Sequence, residues 1–120
     1  MSVLTLLTDF GTQDGFVGVM KGVIWGICPT VQIADISHQI QPQNLIQGAI
    51  TLSRVAPFFG DGTIHVAVVD PGVGTHRRAI AAQLGTQLYV APDNGLLTLL
   101  IQDAEEKQLP LKFVELNKRE

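Results

Sequence analysis

The run Ile64–Val69, IHVAVV, restricts the fold more than any other stretch of this chain. Residues this apolar and β-branched form a strand, and with no polar alternation that strand is expected to be covered on both faces, as in a parallel sheet. It stops at Asp70-Pro71-Gly72, where proline cannot extend a ladder and glycine opens a turn. The flanking sequence supplies the rest of such a sheet. Val3–Leu7 is a short strand that ends in the loop TDFGTQDG. Phe16, Val19, Met20, Val23, Ile24 and Ile27 then recur at helical spacing as far as Cys28-Pro29. Val31–Ile36 reads as a second strand. A helix follows with Pro42 in its first turn and Leu45, Ala49, Leu52 and Val55 on its inner face, closed by Pro57 and Gly60-Asp61-Gly62. Ala79–Leu84 and Gln87–Val90 read as a hairpin turning at Gly85-Thr86, APDNGLLTLLI starts a third helix, and Lys112–Leu116 is a last strand. The order β-α-β-α-β, then β-β-α-β, predicts a single α/β domain over residues 1–120, a three-layer Rossmann-like unit with a mainly parallel, mixed sheet.

Composition narrows the function classes. The chain is 46% hydrophobic and 16% charged, with mean hydropathy +0.27, which excludes disorder and implies surface to be covered by a second domain or another subunit. A net charge of −3 without a basic run argues against a nucleic-acid partner. Cys28, the single cysteine, excludes an internal disulfide and a cysteine-based zinc site, and fits a reducing compartment. MSVLTLLTDF meets Asp9 too early for a secretion signal, and no run is long enough to cross a bilayer. The expectation is a cytoplasmic protein with no membrane partner.

In open α/β sheets, ligands bind beyond the carboxyl ends of the strands. Asp9 follows the first strand and Asp70 the third; if those strands are neighbours, both carboxylates enter one crevice. Each ends an apolar run, where burial of a carboxylate has to be compensated. Gly72 and Gly74 let the backbone turn sharply, and Arg77 or Arg78 can fold back to keep Asp70 ionised. A carboxylate and a guanidinium held together can seat a water, although a structural ion pair explains the same spacing equally well. Asp35 and Asp93 read as capping or turn-shaping residues. His38, His65 and His76 are scattered without metal-ligand spacing. GVGTHRR lacks the ending of a phosphate-binding Walker loop and the third glycine of a dinucleotide fingerprint.

Four blocks, LLTDFGTQDGFVGVMKGVI, DISHQIQPQN, HVAVVDPGVGTHRR and VAPDNGLLT, resemble the S-adenosylmethionine (SAM) hydrolases, or SAM hydroxide adenosyltransferases, relatives of the SAM-dependent fluorinase and chlorinase. The resemblance covers nearly the whole chain. It implies cleavage of SAM by water at ribose C5′ to adenosine and L-methionine, with no metal and no cofactor, in a homotrimer built from an N-terminal α/β domain and a C-terminal β-barrel. By the same resemblance Asp70 and Arg77 are catalytic, matching two members of an Asp-Arg-His water-activating triad. Asp9 matches the aspartate that grips the ribose hydroxyls, and Asp14 a position near the α-ammonium group of the methionine end. The halogenases carry an uncharged residue at the acid of the DPGVG block, so Asp70 favours the hydrolase branch. The family chain is about twice as long; the triad histidine and the barrel would lie past Glu120. These residues are therefore expected to be the N-terminal domain, weakly active or inactive alone. Two other classes fit the residues: a non-catalytic adenosine- or SAM-binding or assembly module, and a metal-dependent nucleoside hydrolase whose aspartates hold Ca²⁺ and ribose hydroxyls together, against which Asp9 and Asp14 lack an adjacent acid pair.

Overall fold

A computed structural model describes residues 2–69 and 78–116. Among the described residues one sheet contains β1 (Val3–Thr8), β2 (Gln32–Ser37), β3 (Ile64–Val68), β4 (Ala79–Leu84), β5 (Gln87–Pro92) and β6 (Leu111–Leu116), in the order β2-β1-β3-β5-β4-β6. The β1/β2, β1/β3 and β3/β5 ladders are parallel, whereas β4 runs antiparallel to both β5 and β6. The helices are α1 (Phe16–Ile27), α2 (Leu45–Val55) and α3 (Thr98–Glu106). The expected α/β class, element order and mixed sheet are therefore observed, with strand ends moved by a residue or two.

The two faces are covered unequally. α2 and α3 pack on one face, where Leu52, Leu96, Leu97 and Leu100 meet Leu7, Ala67, Val69, Ala82 and Tyr89. Leu6, Leu7 and Leu52 are completely buried, each burial contributing about 1.5–3 kcal/mol. α2 approaches so closely that a Cβ on Gly48 would lie 3.0 Å from Leu96 and 3.3 Å from Val69. The other face carries α1 alone, over Leu4, Leu6 and Val31.

Three expectations are corrected by this asymmetry and by one turn. β3 is not covered on both faces: His65 and Ala67 are buried, but Ile64, Val66 and Val68 are only half-buried, because α1 alone lies on their side. α1 does not bury its whole apolar stripe: Met20 and Ile24 pack on the sheet, while Phe16, Val19, Val23 and Ile27 stay 58–82% exposed. Pro42 is not in the first turn of α2. The chain turns at Gln43, which has φ +64°, and α2 begins only after Asn44, whose side chain accepts from Gln47 N at 2.9 Å. β6 is exposed along its whole length, with Phe113, Val114 and Leu116 about half-exposed. These bare apolar surfaces match the uncovered area that the composition implied.

Candidate active site

The chain leaves β1 for β2 on one side and returns for β3 on the other, so strand order reverses between β1 and β3. A switch point of this kind, at the carboxyl ends of the strands, is the place where α/β sheets bind ligands. Thr8 and Val68 pair in register across it, and Asp9 is the next residue of its strand. The condition set for the two aspartates, that the first and third strands be neighbours, is thus met. Asp70, Gly72, Gly74, His76 and Arg77 lie outside the described residues.

Asp9 is held by the segment that leads into α2: its Oδ2 accepts from Gln43 N at 2.7 Å. Asp14 stands further along the same loop, exposed, with Oδ1 accepting from Phe16 N at 3.4 Å. It thereby serves an orphan amide at the start of α1, whose N-cap, Gly15 (φ +85°), has no side chain to do so. Phe10 and Phe16, at the two ends of the loop, bring their rings to 6.0 Å.

Beneath Asp9 lies a chain of hydrogen bonds drawn from three elements. Phe10 N donates to Thr8 Oγ1 (3.2 Å), and Thr8 Oγ1 is 2.8 Å from His38 Nδ1. His38 Nε2 is 2.8 Å from Asp35 Oδ1, and Asp35 Oδ2 accepts from Lys21 Nζ at 2.8 Å. A carboxylate only accepts, so Nε2 carries the ring proton in neutral His38, and Nδ1 accepts from the Thr8 hydroxyl. Burial alone would raise the Asp35 pKa, but the hydrogen bonds from Lys21 and His38, with the Lys21 charge, outweigh it and hold the carboxyl below its usual 3.8. Asp35 is therefore one end of a relay, and not simply a turn former. Sequence reasoning passed over His38. The available signal was its place in DISH, three residues past an acid at a strand end.

The third-strand side of the switch point has its own support. Asn94 Nδ2 donates to Val69 O at 2.9 Å, and its Oδ1 accepts from Leu96 N at 3.3 Å. Asn94 thus fixes the residue immediately before Asp70, a role hidden in the PDNG block. Of the two arginines considered for Asp70, Arg78 turns elsewhere: its Nη2 donates to Asp93 Oδ2 at 2.6 Å, with Glu115 at 3.7 Å. Asp93 also takes its backbone amide to Arg78 O at 2.7 Å, so it acts structurally, as expected. Next to this pair an apolar cavity of about 190 Å³ is lined by Val66, Val68, Arg78, Val90 and Pro92.

Residues 4–120 match the SAM hydroxide adenosyltransferase N-terminal domain. The chain belongs to that family. It is 46% identical over 94 residues to an (R)-S-adenosyl-L-methionine hydrolase of Salinispora arenicola, covering 78% of this chain and 36% of that protein. It is 28% identical over 124 residues to a fluorinase of Actinopolyspora mzabensis, covering 84% of this chain and 42% of the relative. A crystal structure of an uncharacterized conserved protein from Thermotoga maritima superposes with a TM-score of 0.87 at 39% identity, over 97% of this chain and 44% of the other. The chain thus spans less than half the length of each of these relatives. Among the described residues, no helix is long and apolar enough to cross a membrane.

Proposed function

We propose that this chain forms the α/β part of an enzyme that hydrolyses S-adenosyl-L-methionine to adenosine and L-methionine. The observation that carries the reading is Asp9 at the lip of the β1/β3 switch point, in a chain of this family whose sequence has Asp70 just after the residues of β3. Asp9 engages the ribose hydroxyls, and Asp14 lies toward the α-ammonium group of the methionine end. Asp70 takes a proton from the attacking water, and Arg77 holds Asp70 and steadies charge on oxygen. The water oxygen bonds to C5′ as the C5′–S bond breaks, and the electron pair goes to sulfur, turning a sulfonium into a neutral thioether. A hydroxide-like nucleophile and a cation lose charge together, so a site that excludes water favours the step. No metal and no cofactor enters it, and SAM is substrate. The bare apolar faces of α1 and β6 support the homotrimer of the family, and the lone Cys28 supports a cytoplasmic setting.

The test is SAM turnover, with adenosine followed by chromatography and binding by calorimetry. Asp70→Asn is expected to cut turnover by about 10²-fold or more while adenosine still binds. Unchanged turnover would remove Asp70 from the chemistry. Residues 1–120 alone are expected to turn over slowly or not at all; a normal enzymatic rate would show that no group beyond Glu120 is needed. The span of less than half of each relative favours one second reading, a module that binds SAM or adenosine without cleaving it. Calorimetric binding with no turnover in any longer form supports that reading.

A further inference from the structure

We propose that His38 is a positioning residue for the Asp9 loop. Through Thr8 on one side and the Asp35–Lys21 pair on the other, it holds residues 8–11 in the shape that presents Asp9 to ribose hydroxyls. The proposal rests on the SAM reading for the identity of the ligand, but the hold itself is geometric.

His38 reaches the loop twice. Its ring accepts from Thr8, which in turn receives Phe10 N, and its backbone carbonyl accepts from Gly11 N at 2.8 Å. The residues on either side of Asp9 and the one after Phe10 are thus tied to a single residue beyond the end of β2. The ring is 6% exposed and engaged at both nitrogens, so it has no freedom to turn. Thr8 is completely buried, which rules its hydroxyl out as an attacking group and leaves support as its role. The far end of the relay is anchored in two further elements, Asp35 on β2 and Lys21 on α1. α1 begins where the same loop ends, so both ends of the Asp9–Gly15 segment are fixed to one network. Neutral His38 accepts toward Thr8 at Nδ1 and donates toward Asp35 at Nε2, and the Nδ1 contact is the one that reaches the loop. Asparagine keeps an acceptor near the Nδ1 position; glutamine keeps a donor near the Nε2 position.

The experiment compares wild type with His38→Ala, His38→Asn and His38→Gln. Adenosine and 2′,3′-dideoxyadenosine are titrated by calorimetry, and amide hydrogen exchange is followed at Phe10 and Gly11. His38→Ala is expected to weaken adenosine about tenfold and leave the dideoxy nucleoside unchanged. Exchange at both amides should accelerate; His38→Asn should restore both readouts and His38→Gln should not. Equal losses for the two nucleosides, or an unaltered preference for adenosine, would overturn the proposal. If wild type binds neither nucleoside, the SAM reading fails by itself, and exchange then decides the hold. Faster exchange in His38→Ala with recovery in His38→Asn supports it, and unchanged exchange sinks it.

Discussion

β1 carries two completely buried threonines, Thr5 and Thr8, and each hydroxyl meets the Nδ1 of a histidine, at 2.7 Å for His65 and 2.8 Å for His38. What lies beyond the ring differs. His65 Nε2 faces Gln87 Oε1 at 2.6 Å, and the Gln87 amide donates to Ala56 O and Phe59 O, so His65 keeps its proton on Nε2 and accepts from Thr5. Tyr89 stacks on the ring at 4.9 Å and Phe59 meets it edge-on at 5.6 Å. Every partner is neutral, and burial pushes the Tyr89 hydroxyl up to about 12, with the Asp103 charge adding to it. His38 instead ends on an ion pair whose members are 25% and 40% exposed. The same threonine–histidine unit thus locks three strands together when it closes on a carboxamide in the core. Closed on a charged pair at the rim, it supports a loop that a ligand would touch. Core polar networks contribute through complete satisfaction, rim networks through the geometry they impose.

The largest effect should therefore come from the core pair. His65→Ala removes two aromatic contacts and strands the Thr5 hydroxyl and Gln87, so unfolding stability should fall by about 3–4 kcal/mol in urea titrations. Adenosine affinity of the folded protein should stay where it was. The same ring makes stability depend on pH. Burial holds the His65 pKa below 6.5, against a smaller upward pull from Gln87. Below pH 6.5 the unfolded chain binds a proton that the folded chain refuses. The contribution is complete above 6.5 and is lost as pH falls toward the lowered folded value. Asp35 acts with the same sign in more acid solution: its contribution is complete above 3.8 and is lost as pH falls below that. His65→Gln should flatten the urea midpoint just below pH 6.5; an unaltered slope would place its origin elsewhere.

A matched pair of smaller changes sharpens the contrast. Thr5→Val keeps shape and strand preference but takes the donor from His65 Nδ1, with an expected loss of about 1–3 kcal/mol and no change in ligand affinity. Thr8→Val, three residues later, strands His38 Nδ1 and Phe10 N near the rim. It should cost about 1 kcal/mol of stability yet weaken adenosine several-fold. Denaturation and calorimetry on the two variants should give opposite rankings. Identical rankings would mean that the two threonines do the same job.

The sequence showed the strands, the helices and the Asp9 position because these depend on local period and on where an apolar run stops. From the sequence the adjacency of β1 and β3 is a condition only, because they are not consecutive strands, and the ladder between them meets it. Other features depend on juxtaposition. Periodicity puts Phe16, Val19 and Val23 on one side of α1 but says nothing about what covers that side, and they stay exposed. Gln43 in a left-handed conformation displaced the start of α2 past Pro42, and no composition signal marks a positive φ on glutamine. Thr8 and His38 are thirty residues apart and meet only because β1 and β2 end side by side. Asn94 finds Val69 O in the same way, across strands. Asp70 and Arg77, read from a motif, lie outside the described residues.

The smallest effect tests the rim itself. Lys21→Met removes one of the two partners of Asp35, at a site where solvent already reaches both side chains. Screening keeps such a pair to about 0.5 kcal/mol, and the cycle of Lys21→Met with Asp35→Asn should return a coupling of that size. Without the ammonium group the Asp35 carboxyl should titrate closer to 3.8, since the partner that most lowers it is gone. His38 would still bridge Thr8 and Asp35, so adenosine affinity should barely move. A coupling well above about 1 kcal/mol would say that the relay is as rigid as the Thr5–His65–Gln87 lock. In that case the two threonines of β1 would differ in position but not in kind, and the loop would owe its shape to stiffness spread through the whole edge instead of to His38.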